Sequence, residues 1–172
     1  RSPSQIWGNH GTACSGIISA KTNNNLGVAG IAPNCPVMSI SNQLMGTSDA
    51  PQKRADGFNW AWRNGASVIS NSWRSSTFSE LLEDAIQSAM TNGRNGLGCV
   101  VTFSAGNYDS NTVGYPARSL PDIIVVGALS LSGKRKSSTT IDNEGWWGSD
   151  YGTQLDIMAP GVLIYTTDRT GS

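Results

Sequence analysis

Short runs of apolar and β-branched residues recur along the chain: Val37 to Ile40, Ser67 to Ser72, Cys99 to Ser104, Ile123 to Ala128 and Leu155 to Met158. Runs this short and this continuously apolar predict strands buried on both faces, as in a parallel sheet. Between several of them the spacing turns helical. Ala55 to Asn64 carries Phe58, Trp60, Ala61 and Trp62, and Ser79 to Thr91 places Leu82, Ala85, Ile86, Ala89 and Met90 along one face. The alternation predicts an α/β fold, a three-layer arrangement in which a mostly parallel β-sheet has helices on both faces. Right-handed crossovers then gather the functional loops at the carboxyl ends of the strands. Asn92 to Gly98 and Ser130 to Ser149 read as exposed loops, no internal repeat or linker divides the chain, and the pair Trp146-Trp147 reads as a surface cover or a contact patch.

Composition narrows the function classes. In 172 residues there are 12 basic and 12 acidic side chains, so nothing in the charge balance favours nucleic acid or an acidic membrane surface. Charged residues make up only 14% while Gly, Ser, Asn and Thr abound, the pattern of a compact, loop-rich, exported protein. No apolar run approaches the roughly 20 residues of a spanning helix. The three cysteines, Cys14, Cys35 and Cys99, cannot all pair internally and lack metal-site spacing, so at least one thiol is expected to be free.

The one histidine, His10, stands where a polar stretch gives way to small residues, Asn9-His10-Gly11-Thr12-Ala13-Cys14-Ser15-Gly16. Gly11, Ala13, Ser15, Gly16 and Ala20, with Ile17 and Ile18 between them, predict a buried helix pressed closely against neighbouring backbone, with the imidazole at its N-terminal mouth. There it serves either as an outward-facing proton acceptor or as a structural side chain. Following the strand ends in order gives Asn71-Ser72-Trp73-Arg74, Ser104-Ala105-Gly106-Asn107 and Met158-Ala159-Pro160-Gly161.

Together with the histidine segment, with Gly27-Val28-Ala29-Gly30-Ile31-Ala32-Pro33 and with Gly114-Tyr115-Pro116-Ala117, these stretches resemble the subtilisin-like serine peptidases, in family order over nearly the whole chain. The resemblance implies that His10 is the base that takes the serine proton and returns it to the leaving amine. It implies that Asn107 is the side-chain donor of the oxyanion hole; without its neighbours, Asn107 reads equally as turn chemistry. Ser72, Trp73 and Arg74 match the segment that pairs with an extended polypeptide substrate as an added strand. Ser104, Ala105 and Gly106 match the opposite wall of the specificity pocket, and Gly114 its base. Position 74 departs from the family's usual glycine. An arginine there narrows the pocket, attracts an acidic substrate side chain or turns to solvent, and Trp73 reads equally as core packing.

Asn23 to Val28 resembles the family's tight calcium-binding loop, with the Asn24 side-chain oxygen and the Leu26 and Val28 carbonyls as Ca2+ ligands, although an Asn-rich turn is the competing reading. All three donors are neutral, which predicts weak binding. The resemblance also implies a secreted, extracellular protein, and leaves room for a pro-segment in its full-length form. None of residues 1–9 is acidic, and no serine stands in the Gly-Thr-Ser helix opening that the family uses for its nucleophile. The 172 residues are therefore expected to be the central part of a catalytic domain, lacking its aspartate and serine segments and inactive alone. The alternative is a non-catalytic subtilase-like domain that keeps only the peptide groove.

Overall fold

A computed structural model describes residues 8–41 and 46–170. They form two compact units, residues 8–41 with 164–170 and residues 46–163.

The smaller unit contains helix α1 (His10–Ser19). Its close packing follows from its small residues. A Cβ on Gly16 would collide with Thr167 Oγ1 and lie 2.6 Å from Thr166 Oγ1, and one on Gly30 would collide with the backbone of Ala20. Thr166 and Thr167 donate to the carbonyls of Ala13 and Thr12 at 2.6 and 2.8 Å. The helix is nonetheless not buried as its sequence predicts: Gly16 is its only buried residue, and Ile17 and Ile18 are exposed. Close backbone approach and burial of side chains are separate matters; the glycine faces the contact and the isoleucines do not.

The larger unit is built on four parallel strands, β1 (Val68–Asn71), β2 (Val100–Ser104), β3 (Ile124–Leu129) and β4 (Ile157–Pro160), in spatial order β1-β2-β3-β4. Two helices accompany them, α2 (Ala50–Arg63) and α3 (Glu80–Gly96). The parallel α/β architecture is the one the alternation predicts. Helix α2 begins upstream of the first apolar residues of its pattern because Pro51 occupies the first turn, where a missing N–H costs nothing. Ser79 caps α3 by accepting from Leu82 N–H at 3.3 Å, and the helical geometry ends at Gly93, with Arg94 and Asn95 at positive φ. The segment 92–98 thus behaves as the predicted connector.

Register places Ile69, Val101, Phe103 and Val125 on one face of the sheet, against Ala55 and Phe58 of α2 and Leu82, Ile86 and Ala89 of α3. Phe103 is the centre of this core, stacked on Phe58 at 6.3 Å and meeting Trp73 edge-on at 5.0 Å. Within this unit both helices cover that one face. The strands consequently alternate instead of being buried on both sides, and Val68, Val100 and Ile157 on the other face are exposed.

The predicted strand at Val37 to Ile40 is a correction: the segment is irregular, and Val37, Met38 and Ile40 are exposed. An apolar run acquires strand structure only where another strand completes its ladder, and a sequence run cannot announce its neighbour. The segment 130–149 is also less exposed than its polarity predicts, since Lys136, Asp142 and Ser149 within it are buried.

Candidate active site

His10 is the first residue of α1 and is exposed. The chain enters the helix through Asn9, whose side-chain amide donates to Asp168 Oδ1 at 3.0 Å, which fixes the approach to the histidine. One turn further on, Cys14 Sγ lies 3.9 Å from His10 Nδ1. The small residues after His10 let the helix backbone pack closely at Gly16, with the imidazole exposed at its N-terminus beside Cys14.

In the larger unit, parallel pairing sets the ends of β1 and β2 side by side, and the chain after each end is tied to its neighbour. Ala105 N–H donates to Val126 O at 2.9 Å and Gly114 N–H to Ala105 O at 3.0 Å. Ser75 N–H donates to Tyr115 O at 2.8 Å, an isolated antiparallel bridge. These bonds bring the segments 72–74, 104–107 and 114–115 into one cluster at the carboxyl edge of the sheet. Within it Ser72 is half-buried, Ser104 is exposed, and Ala105 and Gly114 are buried. Asn107 is exposed on a bend beyond Gly106. The side chain of Trp73 belongs to the core: its ring contacts Phe103, lies under the Arg54 guanidinium at 4.6 Å, and donates through Nε1 to Asn71 Oδ1 at 3.1 Å. Asn71 spans the two strand ends by donating to Ile69 O and Thr102 O, both at 3.1 Å.

The loop carrying Asn107 is organised by a residue the motifs do not mark. Asp150 is fully buried; its Oδ1 accepts from Tyr108 N–H at 2.8 Å and Ser110 N–H at 3.0 Å, and its backbone N–H donates to Gly106 O at 2.9 Å. Gly106 has φ of +120°, and a Cβ there would collide with Asp150 Oδ2. Glycine is required on both counts. Oδ2 itself accepts no hydrogen bond and faces Arg74 Nη1 at 3.6 Å. Arg74 stacks its guanidinium on the Tyr108 ring at 4.2 Å and lays its stem across Gly114, where a Cβ would lie 3.3 Å from Arg74 Cβ and 3.5 Å from its Nε. In sequence Asp150 is one acid among several in a polar stretch, with no spacing to mark it.

Two further charged groups hold the segment that delivers Asp150. Asp109 accepts from Ser138 N–H at 3.0 Å and from Arg135 Nη1 at 2.6 Å, and these bonds lower its pKa to about 2. The ammonium of Lys136 is buried and donates to the carbonyls of Ser137, Glu144 and Trp147 at 2.8, 2.9 and 3.0 Å, with Asp142 Oδ1 at 3.3 Å. Burial works to raise the Asp142 pKa, but hydrogen bonds from Thr140, Glu144 N–H and Lys136 carry it below the ordinary value. Trp147 covers the ammonium, its ring 5.1 Å away, while Trp146 is exposed.

Asn23, Asn25 and Gly27 all have positive φ, so the loop 23–28 coils tightly, and Asn24 Oδ1 accepts from Leu26 N–H at 3.0 Å. This is the Asx turn of the competing reading. The donors at Asn24, Leu26 and Val28 are oxygens, which suit a hard cation, but they bring no charge, and among the described residues no group of three or more His, Cys, Asp or Glu converges as a metal site. All three cysteines are free, with Cys99 buried and its thiol pKa raised by that burial. No described helix is long and apolar enough to cross a membrane.

The family model described as "Subtilase family" matches residues 1–172. Among curated proteins, "Subtilisin Savinase" of Lederbergia lenta is 34% identical over 96% of this chain and 55% of its own length. "Subtilisin E" of Bacillus subtilis is 34% identical over 96% of this chain and 40% of its own length. "Calcium-dependent protease" of Trichormus variabilis is 33% identical over 95% of this chain and 26% of its own length. The chain thus spans well under two thirds of the length of the relatives it matches.

Proposed function

Because the chain belongs to the subtilase family, we propose that it is part of the catalytic domain of a secreted serine endopeptidase that binds its substrate as an extended polypeptide. The observation that carries this reading is the cluster at the carboxyl edge of the sheet, where backbone ties join 72–74, 104–107 and 114–115. Loops at that edge are where an α/β sheet gathers its chemistry. In this reading His10 accepts the proton of a serine as its oxygen attacks the scissile carbonyl, then donates that proton to the leaving amine. The Asn107 carboxamide, exposed beyond Gly106, donates to the oxygen on which negative charge develops. A neutral donor suits that task because it stabilises the anion without competing for the proton. Ser72 and Arg74 lie on one wall of the substrate cleft with the Trp73 backbone, Ser104, Ala105 and Gly106 on the other, and Gly114 at its base.

The serine and the acid that orients His10 belong, in this reading, to parts of the protein outside these 172 residues, which alone hydrolyse nothing. Asn24 Oδ1 with the Leu26 and Val28 carbonyls would hold a structural calcium ion, weakly, for want of a charged ligand among them. A name such as "Calcium-dependent protease" on a relative supports looking for calcium there. The test is labelling of the full-length protein by a fluorophosphonate. Stoichiometric labelling of one serine, lost in His10→Ala, supports the reading; an unlabelled wild-type protein overturns it.

A further inference from the structure

Arg74 crosses the cleft that the peptidase reading assigns to the substrate side chain next to the cut bond. Its stem lies against Gly114, at the base of that cleft: a Cβ on Gly114 would lie 3.3 Å from Arg74 Cβ and 3.6 Å from Cδ, in van der Waals contact with the arginine. Its guanidinium then reaches the opposite wall, stacking on Tyr108 at 4.2 Å and facing Asp150 Oδ2 at 3.6 Å. That oxygen is buried and accepts no hydrogen bond, so the arginine is the positive charge opposite an otherwise unanswered carboxylate oxygen. Two consequences follow. The space above Gly114 is filled by arginine stem, which leaves room for small side chains only. The arginine side chain remains 44% exposed, but its charge is opposed by Asp150 and the Tyr108 ring stacks against it, which weakens its pull on an acidic substrate.

Resting on the peptidase reading, we propose that Arg74 sets substrate choice at this site in two ways: it restricts the cleft to small uncharged side chains, and it masks Asp150, which would otherwise select lysine or arginine. The arginine is thus an internal occupant of a basic-residue pocket. Removing it exposes both the floor at Gly114 and the Asp150 oxygen beyond it.

The test compares full-length wild type, Arg74→Gly and the double variant Arg74→Gly/Asp150→Asn on peptide anilides that differ only in Ala, Glu, Phe or Lys before the cut bond. Wild type is expected to favour Ala over the other three by about tenfold or more in kcat/KM. Arg74→Gly is expected to gain about tenfold or more on both Phe and Lys, each taken as a ratio to Ala within the same variant so that any general effect of Asp150→Asn on the Asn107 loop cancels, with the Lys gain lost and the Phe gain kept in the double variant. A wild-type preference for Glu, or a Lys gain that survives loss of Asp150, overturns the proposal. A second measurement needs no catalysis: at equal concentration n-propylguanidinium should raise the thermal midpoint of Arg74→Gly, by restoring the missing group, relative to its effect on wild type and on the double variant, both of which should respond alike. An equal response in all three, or none in Arg74→Gly, overturns the proposal. If wild type cleaves nothing while the guanidinium response appears, the masking stands and the peptidase reading falls. Should Arg74→Gly not fold, Arg74→Ala serves in both arms, and the wild-type preference still decides between a closed cleft and an acid-seeking one.

Discussion

Replacing Asp150 by Ala in the full-length protein isolates what holds the Asn107 loop. The carboxylate receives two N–H donors, from Tyr108 at 2.8 Å and Ser110 at 3.0 Å, and each hydrogen bond to such a group is worth about 1.5–3 kcal/mol. Their combined loss, about 3–6 kcal/mol, is partly offset because the variant no longer buries a carboxylate. The Arg74 pair adds little, since its 3.6 Å separation and the 44% exposure of the arginine side chain place it among pairs worth less than about 1 kcal/mol. The net expectation is a loss of about 3 kcal/mol, a large share of the roughly 5–15 kcal/mol that holds a domain together. Asp150→Asn keeps the shape and an acceptor oxygen, and should lose about half as much. Urea unfolding measures both, and hydrogen exchange at Tyr108 and Ser110 should rise sharply in the alanine variant alone. An Asp150→Ala loss below about 1 kcal/mol, with exchange at those two amides unchanged, would refute the claim that this carboxylate organises the loop.

Asn107→Ala should lower kcat by about 10² to 10³ with little change in KM, the loss that follows removal of the oxyanion-hole asparagine in a subtilisin. A rise in KM alone would remove Asn107 from that role. Asn24→Ala should abolish most of the calcium-dependent rise in thermal midpoint of the full-length protein, and an unaltered rise would leave the loop a turn. Asp109 is held at about pKa 2, below its ordinary 3.8, by the Ser138 N–H and the Arg135 guanidinium. A lowered carboxylate stabilises the fold above the ordinary value and loses that contribution as pH falls toward the folded one, so Asp109→Asn should flatten the stability curve between pH 3.8 and about 2 in acid titrations followed by circular dichroism.

Periodicity carried most of the larger unit because its elements bury one face each. The spacing of Leu82, Ala85, Ile86 and Ala89 is the spacing of the residues that touch Val101 and Phe103, so sequence and packing state the same fact. The same logic misread Val37 to Ile40, where apolar composition is present but, among the described residues, no ladder completes it. The strand-end segments were legible as motifs, yet motifs name positions and not contacts. Nothing in Ser72-Trp73-Arg74 foretells that the indole turns into the core while the guanidinium turns toward Tyr108 and Asp150. That division depends on Phe103 beneath one and on Asp150 beyond the other, residues far along the chain whose identities carry no local signature.

Buried charge is what the sequence conceals most completely here, and it decides the site. A polar stretch such as 130–149 predicts solvent exposure because polar groups are costly to bury unanswered. Lys136 answers three carbonyls and Asp142 at once, the donor set of a cation site occupied by the chain's own ammonium, so the stretch folds inward instead. Arg135 and Ser138, its near neighbours, fasten Asp109, and the same segment delivers Asp150 beneath Gly106. The position of Asn107 thus depends on charges distributed through a loop that composition marks as surface. By contrast the loop 23–28 is a tight turn of neutral groups, in which the Asn24 oxygen is answered only by the Leu26 N–H. The calcium ion proposed above is therefore assigned to that loop, whose donors bring no charge of their own, and not to 130–149, where the Lys136 ammonium already fills the equivalent place.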